Sequence, residues 1–502
     1  MMLQSLFSVT KVHWPCWLLL MLLYGCGDDV DNAAIRLGLA AGPVTLDPRY
    51  ATDAASHRLN RLLYAQLVDF DEHDRPVPAL ASWERITLTE YRFTLADRQR
   101  RFHDGSYLTT ADVQATYASV LDEKTASPHR STLSIIESIE IIDADTLTFH
   151  LREPDTLFTS RLMLGILPAR RLRQDHPFGQ QPIGSGPLEL AAWPAENRLV
   201  LRRKRDNQHI EILAVQGPIV RVLKLMRGEL DLVQGDLPQE LLSWMQQQDD
   251  IVVRTSRGSI FSYLGFNLAD PVVGDHRIRL AIAHAIDRDA IIEHVLGNAA
   301  RPASMLLGPD HWAGHPGLDA YDYAPDKSRL LLQQAGYTEE QPARIVYKTS
   351  NNPARIRLAT IIQHQLEQVG IRVEIRSYDW GTFYADIKSG QFQMFSLSWV
   401  GLKLPDIFRY VFHSESVPPT GANRGRYQDA KVDALISAAE SRTDLDEQAA
   451  IYRELQAYLH RQLPYVGLWY EDNVLAMRAG LTDYPLPTDG NYDGLATIHY
   501  AR

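Results

Sequence analysis

The sequence predicts an α/β protein built from two or more lobes, and three observations carry that expectation. The chain has 502 residues, beyond the length at which a single hydrophobic core keeps growing. Its clearest stretch, residues 355–399, switches from helix period to strand period and back, the pattern of βαβ units on a mostly parallel sheet. Residues 60–152 follow another rhythm, strand then helix then strand, and read as an α+β insert of their own.

The chain opens on an address segment. Lys11 is followed by WPCWLLLMLLYGC, residues 14–26. The apolar core is about a dozen residues, which suits a secretory signal and is too short for a bilayer that needs about 20. Leu23-Tyr24-Gly25-Cys26 resembles a bacterial lipobox, where the chain is cut before the cysteine and its thiol takes a lipid, although Tyr24 is bulkier than the residue usual there. Residues 1–25 are therefore expected to be a lipoprotein signal peptide, Cys26 the lipidation site, and residues 26–34 a polar tether. No later run approaches transmembrane length.

In the insert, residues 91–95 alternate as a strand, and part of 138–151 does the same. Residues 110–121 between them read as a helix capped by Thr109 or Thr110. Farther on, Ile278, Ala281, Ile282, Ala285 and Ile286 form one apolar stripe; Asp287 can cap a second helix, and Gly297 ends it. In residues 355–369 the apolar positions Ile356, Ala359, Ile362, Leu366 and Val369 recur at three and four, and Gly370 supplies a C-cap. Ile371, Val373 and Ile375 then alternate as a strand. A helix follows at 380–388, stopped near Gly390, and a strand at 392–399. Residues 444–463 hold a long amphipathic helix ended by Pro464.

Composition narrows the function classes. Hydrophobic residues are 45% and charged residues 23%, which excludes collagen-like, largely disordered and multi-span membrane chains. Lys+Arg number 51 against 62 Asp+Glu, a formal charge of −11, so no nucleic-acid partner is expected. The only cysteines are Cys16 and Cys26; this leaves the body without a disulfide, a cysteine metal site or Cys–His catalysis. There is no GxSxG, Walker A, HExxH or GxGxxG motif. His311 and His315 have a helical metal-ligand spacing, but LGPDHWAGHPGLD predicts a polar surface loop. His103-Asp104-Gly105 needs only turn chemistry. Neither enzyme activity nor a cofactor is expected.

Seven stretches converge on one family. They are TLDPRYATD (45–53), LLYAQLVDFDEHDRPVPALASWE (62–84), YRFTL (91–95), RFHDGSYLTTADV (101–113), PIGSGPLEL (182–190), GFNLADPVVGDHRIRLAIAHAIDRDAII (265–292) and GANRGRYQDAKVDALI (421–436). In this order the chain resembles the extracellular solute-binding proteins of the peptide/nickel family of ABC importers, the dipeptide- and oligopeptide-binding group.

The resemblance implies a two-lobe periplasmic-binding-protein clamshell with mixed sheets and an extra α+β subdomain. Lobe I would comprise 35–46, 181–258 and 471–502, the subdomain 47–180, and lobe II 259–470, with crossings near 259 and 470 as the hinge. It implies capture of a peptide or peptide-like solute between the lobes, delivery to an ABC permease with its ATPase subunits, a monomer, and a periplasmic or cell-envelope location held by lipid. The alternatives are a metal chelate, haem, glycan or opine as ligand, or a sensor or chaperone on the same fold. Trp380 and Trp399 match the two cleft tryptophans of peptide binders; Tyr263, Trp469 and Tyr470 are further ligand-binding candidates. Two positions depart. Leu402 stands where the family places the acid for the ligand amine, and Ser396 where an arginine often serves a ligand carboxylate. Asp406 is the nearest substitute acid, unless it only caps the helix carrying Phe408.

Overall fold

A computed structural model describes residues 34–96, 100–235 and 237–501. Cys26, the signal and the tether up to residue 33 lie outside them. The helices start and stop where local chemistry demands. Thr109 and Asp112 form a capping box for Thr110–Leu121, with Asp112 accepting from the Thr109 N–H at 2.8 Å. Asp287 caps Arg288–His294 by accepting from Ala290 N–H. Helix Pro353–Gln368 gives way to Gly370 at φ +96°, and Trp380–Ser389 ends on Gly390 at φ +80°, the left-handed geometry that glycine adopts without strain.

Among the described residues, the largest sheet has eleven strands. At one end Ala343–Ser350 runs parallel to both Ile371–Tyr378 and Met394–Trp399; this is the βαβ arrangement expected for 355–399, with Ala343–Ser350 as a strand the sequence reading did not mark. Next come two long antiparallel neighbours, Ile251–Phe266 and Tyr465–Arg478. The other end is built from Leu232–Gln234, Ile35–Leu39, His209–Ala214, Arg198–Arg203 and Leu188–Ala195. Met394–Trp399 is antiparallel to Ile251–Phe266, so the sheet is mixed. The two long strands alone carry it from one half of the molecule to the other. Their register slips between Ser256 and Ile260, opposite Asn473 and Glu471. Gly258 lies in that slip, and a Cβ there would sit 2.1 Å from the Glu471 carbonyl oxygen, so no other residue fits.

Each half has its own core. One is formed by Ile35, Leu37, Leu62, Leu199, Ile212 and Leu475 with the C-terminal Tyr484 and Leu495. The far half has two: one under helices His276–Ala285 and Pro353–Gln368, the other under Ile407–Phe412 and Leu445–Gln462. The insert is a four-stranded antiparallel sheet in the order Ala81–Arg85, Glu90–Leu95, Thr146–Leu151, Ile136–Ile141. It is closed by Thr110–Leu121, with Tyr117 and Phe93 edge-on to Phe149. The 182–190 motif also has a physical reason. A Cβ at Gly184 would meet the Leu63 carbonyl oxygen at 2.0 Å and one at Gly186 that of Leu62 at 2.2 Å, so this loop passes against the helix end only as glycine.

Candidate functional site

Trp399 is the last residue of Met394–Trp399, and Trp380 the first of the helix that follows Ile371–Tyr378. Asp379 caps that helix by accepting from Thr382 N–H at 3.1 Å. Both tryptophans thus lie at the carboxyl ends of parallel strands, where open α/β sheets form their ligand crevices. Trp380 is 57% exposed and stacks on Tyr384 with centroids 5.4 Å apart. Trp399 is half-buried and edge-on to the exposed Tyr410. The Arg424 guanidinium lies 5.0 Å from the Trp399 ring and 5.4 Å from that of Tyr384. It donates to the hydroxyls of Tyr263 at 3.1 Å and Tyr384 at 3.2 Å.

The loop after Trp399 reaches the other half. Lys403 pairs with Asp489 of the C-terminal segment at 2.7 Å, and Asp406 with Arg161 of the insert at 2.9 Å. Arg161 is held in turn by Asp155 at 2.7 Å. Leu157, from the same insert turn, is buried in the core that contains Phe408 and Tyr452. Asp406 heads the helix Ile407–Phe412 without a side-chain capping bond, so capping is not what its carboxylate does. Leu402 is buried and lines a cavity of about 50 Å³ between the halves, together with Asp74, Arg301, Asp310 and Thr488.

The insert and the first helix enclose a separate cavity. It is about 130 Å³ and is lined by His57, Asn60, His129, Arg161 and Met163 among others. Asn60 is 5% exposed, and neither its amide nitrogen nor its amide oxygen has a hydrogen-bond partner. A buried amide left open at both atoms is unfavourable unless water or a ligand meets it. This donor–acceptor pair suits a peptide-like group.

Of the remaining expected residues, Trp469 and Tyr263 are packed away from this crevice, while Tyr470 lines the cavity that Leu402 lines. Trp469 is 1% exposed and packs in the core with Ile282, Tyr347 and Val466. Tyr470 is buried, and its hydroxyl donates to the Met305 carbonyl. Tyr263 is fully buried, stacked at 4.1 Å on Tyr465; it supports Arg424 and presents no ring face. Trp469 and Tyr263 point inward because the two long strands are covered on both faces at these positions. His311 is likewise no surface residue. It is buried, accepting from Ala313 N–H and donating from Nε2 to the Lys403 carbonyl, both at 3.0 Å. Sequence reasoning missed Arg161, Asn60 and Arg424. Arg424 lies inside a quoted motif, and a charge between Asn423 and Gly425 was the available signal.

Two expected results follow from these contacts. Asp406→Asn removes one inter-half ion pair and leaves Arg161 with Asp155, so peptide affinity should drop only a few-fold. The drop should be equal for free-amine and N-acetylated peptide in calorimetry. A loss confined to the free amine would mean that Asp406 holds the ligand instead. The second concerns pH. Burial pushes His311 from 6.5 down to about 4, so the folded protein holds it neutral. The stability it contributes is complete above about pH 6.5 and is lost as pH falls toward 4. Melting temperatures between pH 7.5 and 4.5 should fall by less in His311→Gln than in the parent chain.

A mixed α/β sheet with aromatic rings at the carboxyl ends of its parallel strands is an arrangement suited to holding a solute. Comparison with known proteins agrees. The profile described as "Bacterial extracellular solute-binding proteins, family 5 Middle" matches residues 75–416, and the chain belongs to that family. It is 28% identical to di/tripeptide-binding protein 2 of Pseudomonas aeruginosa, over 88% of this chain and 91% of that one. It superposes on the periplasmic binding protein DppA of Helicobacter pylori in complex with the peptide STSA, with a TM-score of 0.75 and 25% identity, over 94% and 98% of the two chains. It also superposes on CtaP of Listeria monocytogenes, an ABC transporter substrate-binding protein, with a TM-score of 0.84 and 21% identity, over 94% and 100%. Among the described residues, no group of His, Cys, Asp and Glu is placed to hold a metal ion, and no helix is long and apolar enough to cross a membrane.

Proposed function

We propose that this chain is the capture component of an ABC importer. It takes a short peptide or peptide-like solute between its two halves, hands it to a permease driven by ATPase subunits, and makes or breaks no bond in it. The observation that carries this reading is the wall of Trp380, Tyr384 and Trp399 at the strand ends. Flat aromatic area receives varied side chains without specific pairing. The open amide of Asn60, in a cavity that Arg161 links to Asp406, supports it, because a peptide backbone supplies both a donor and an acceptor. The relatives that bind di-, tri- and oligopeptides support it further.

In this reading the crossing strands bend at 256–260 and 471–473, between lobe I (35–46, 181–258, 471–502) with its subdomain 47–180 and lobe II (259–470). Ligand favours the closed state by touching both walls. The protein works as a monomer in the periplasm or cell envelope, exported by residues 1–25 and anchored through a lipid on Cys26. Mass spectrometry of small molecules released from protein purified under native conditions tests the ligand class. Short peptides are the expected result; a metal chelate, haem, a glycan or an opine would replace the peptide reading.

A further inference from the structure

The buried arginines of the far half are not all alike. Arg279 donates to four backbone carbonyls, those of Val273, Gly274, Gln462 and Leu463. Arg288 donates to those of Ala283, Ile286, Tyr321 and Gly467. These two are structural: fixed backbone carbonyls receive most of their donors, although Arg288 Nη2 is left without a partner, and they tie their helices to the end of Leu445–Gln462 and to the strand Tyr465–Arg478. Arg424 is as buried, at 6% exposed, yet its guanidinium meets only the two hydroxyls of Tyr263 and Tyr384 and the ring faces of Tyr384 and Trp399. Burial pushes the phenols of Tyr263 and Tyr465 up, so both stay neutral and neither is a counter-ion. Among the described residues, no carboxylate pairs with Arg424, and the rest of its five N–H donors find no acceptor. A buried guanidinium that meets neither a carboxylate nor a set of backbone carbonyls keeps the capacity to take an anion from outside.

We infer that Arg424 is the anion anchor of the crevice and sets its specificity for solutes that carry a carboxylate. This deepens the peptide reading and rests on it. The guanidinium fork matches a carboxylate in two parallel hydrogen bonds. Tyr263 and Tyr384 hold the fork in place from behind, while Trp399 and Tyr384 flank it with rings that exclude water and strengthen the pair. An exposed lysine on the same wall would bind anions indiscriminately and weakly. A buried arginine already stripped of water, and presented between rings, selects the ligand that completes it. The carboxylate can be the chain terminus of a peptide or an acidic side chain near it; the chemistry at Arg424 is the same.

The test uses the full protein freed of co-purified ligand and a set of matched tripeptides. Each is prepared as free acid, as C-terminal amide, and as amide with glutamate at the last position. Calorimetry on the parent chain needs no mutant. The acid or the glutamate amide should bind at least tenfold more tightly than the neutral amide, and which of the two does so tells terminus from side chain. Arg424→Gln should bring the preferred ligand down to the level of the neutral amide, and Arg424→Lys should retain part of the preference. Equal binding of all three forms by the parent chain would overturn the assignment while leaving the peptide reading intact. An equal loss for charged and neutral forms in Arg424→Gln would also overturn it, since a purely structural arginine predicts that. Absence of binding by every form would instead refute the peptide reading. The decision on Arg424 would then pass to the molecule released from natively purified protein: an anionic ligand lost in Arg424→Gln supports the anchor, and a neutral one overturns it.

Discussion

Trp399→Ala is expected to weaken ligand capture on the order of 100-fold, the scale of a buried aromatic hot spot. The indole stands at the end of Met394–Trp399 and lies 5.0 Å from the Arg424 guanidinium. Its loss removes contact area from any ligand and lets water reach the cation behind it. The loss should therefore fall on charged and neutral ligands alike, and this separates it from Arg424→Gln. Trp380→Ala should cost less, because that ring is 57% exposed and backed only by Tyr384 and Phe383. Calorimetry at a temperature where both variants are folded checks the order. Unchanged binding in Trp399→Ala would make that ring a core residue.

The opposite pattern is expected for Trp469→Ala. This indole is 1% exposed and sits between the helices of the far half and the long strand that carries it. Removing a large buried ring costs about 3–5 kcal/mol through lost burial and an unfilled cavity. In a chain this long the melting temperature should drop by several degrees, at roughly 2–4 °C per kcal/mol. Ligand affinity measured below the transition should be nearly unchanged. Denaturant unfolding with a lowered midpoint and an unaltered slope is the signature sought. A loss of affinity without a loss of stability would return Trp469 to the crevice.

These two tryptophans also show how much was legible in the sequence. Helices and strands with clean periods, such as 355–376, could be read because the burial of one face imposes the pattern. Trp380 and Trp399 were singled out by the family resemblance, on a helix start and a strand end that the local pattern supplied. The long strands Ile251–Phe266 and Tyr465–Arg478 were marked only as crossing points. Where both faces are covered, a strand loses its alternation, and Tyr263 and Trp469 then look no different from cleft aromatics. Contacts between distant segments left no local trace. Asp406 meets Arg161 across 245 positions, and Arg424 meets Tyr263 across 161. Asn60 gave no signal, because only the packing of its helix Ala54–Leu63 leaves both amide atoms buried without a partner. His311 sat in a loop rich in proline and glycine, and only the Lys403 carbonyl shows why it is inside.

The central claim is that solute is held between two halves that close on it about the slip at Ser256–Ile260 and Glu471–Asn473. Small-angle scattering on protein freed of ligand, then titrated with the molecule recovered from native preparations, measures this directly. The account predicts a radius of gyration that falls on titration and saturates with the binding isotherm. A bound protein whose scattering curve matches that of the free protein throughout would contradict it.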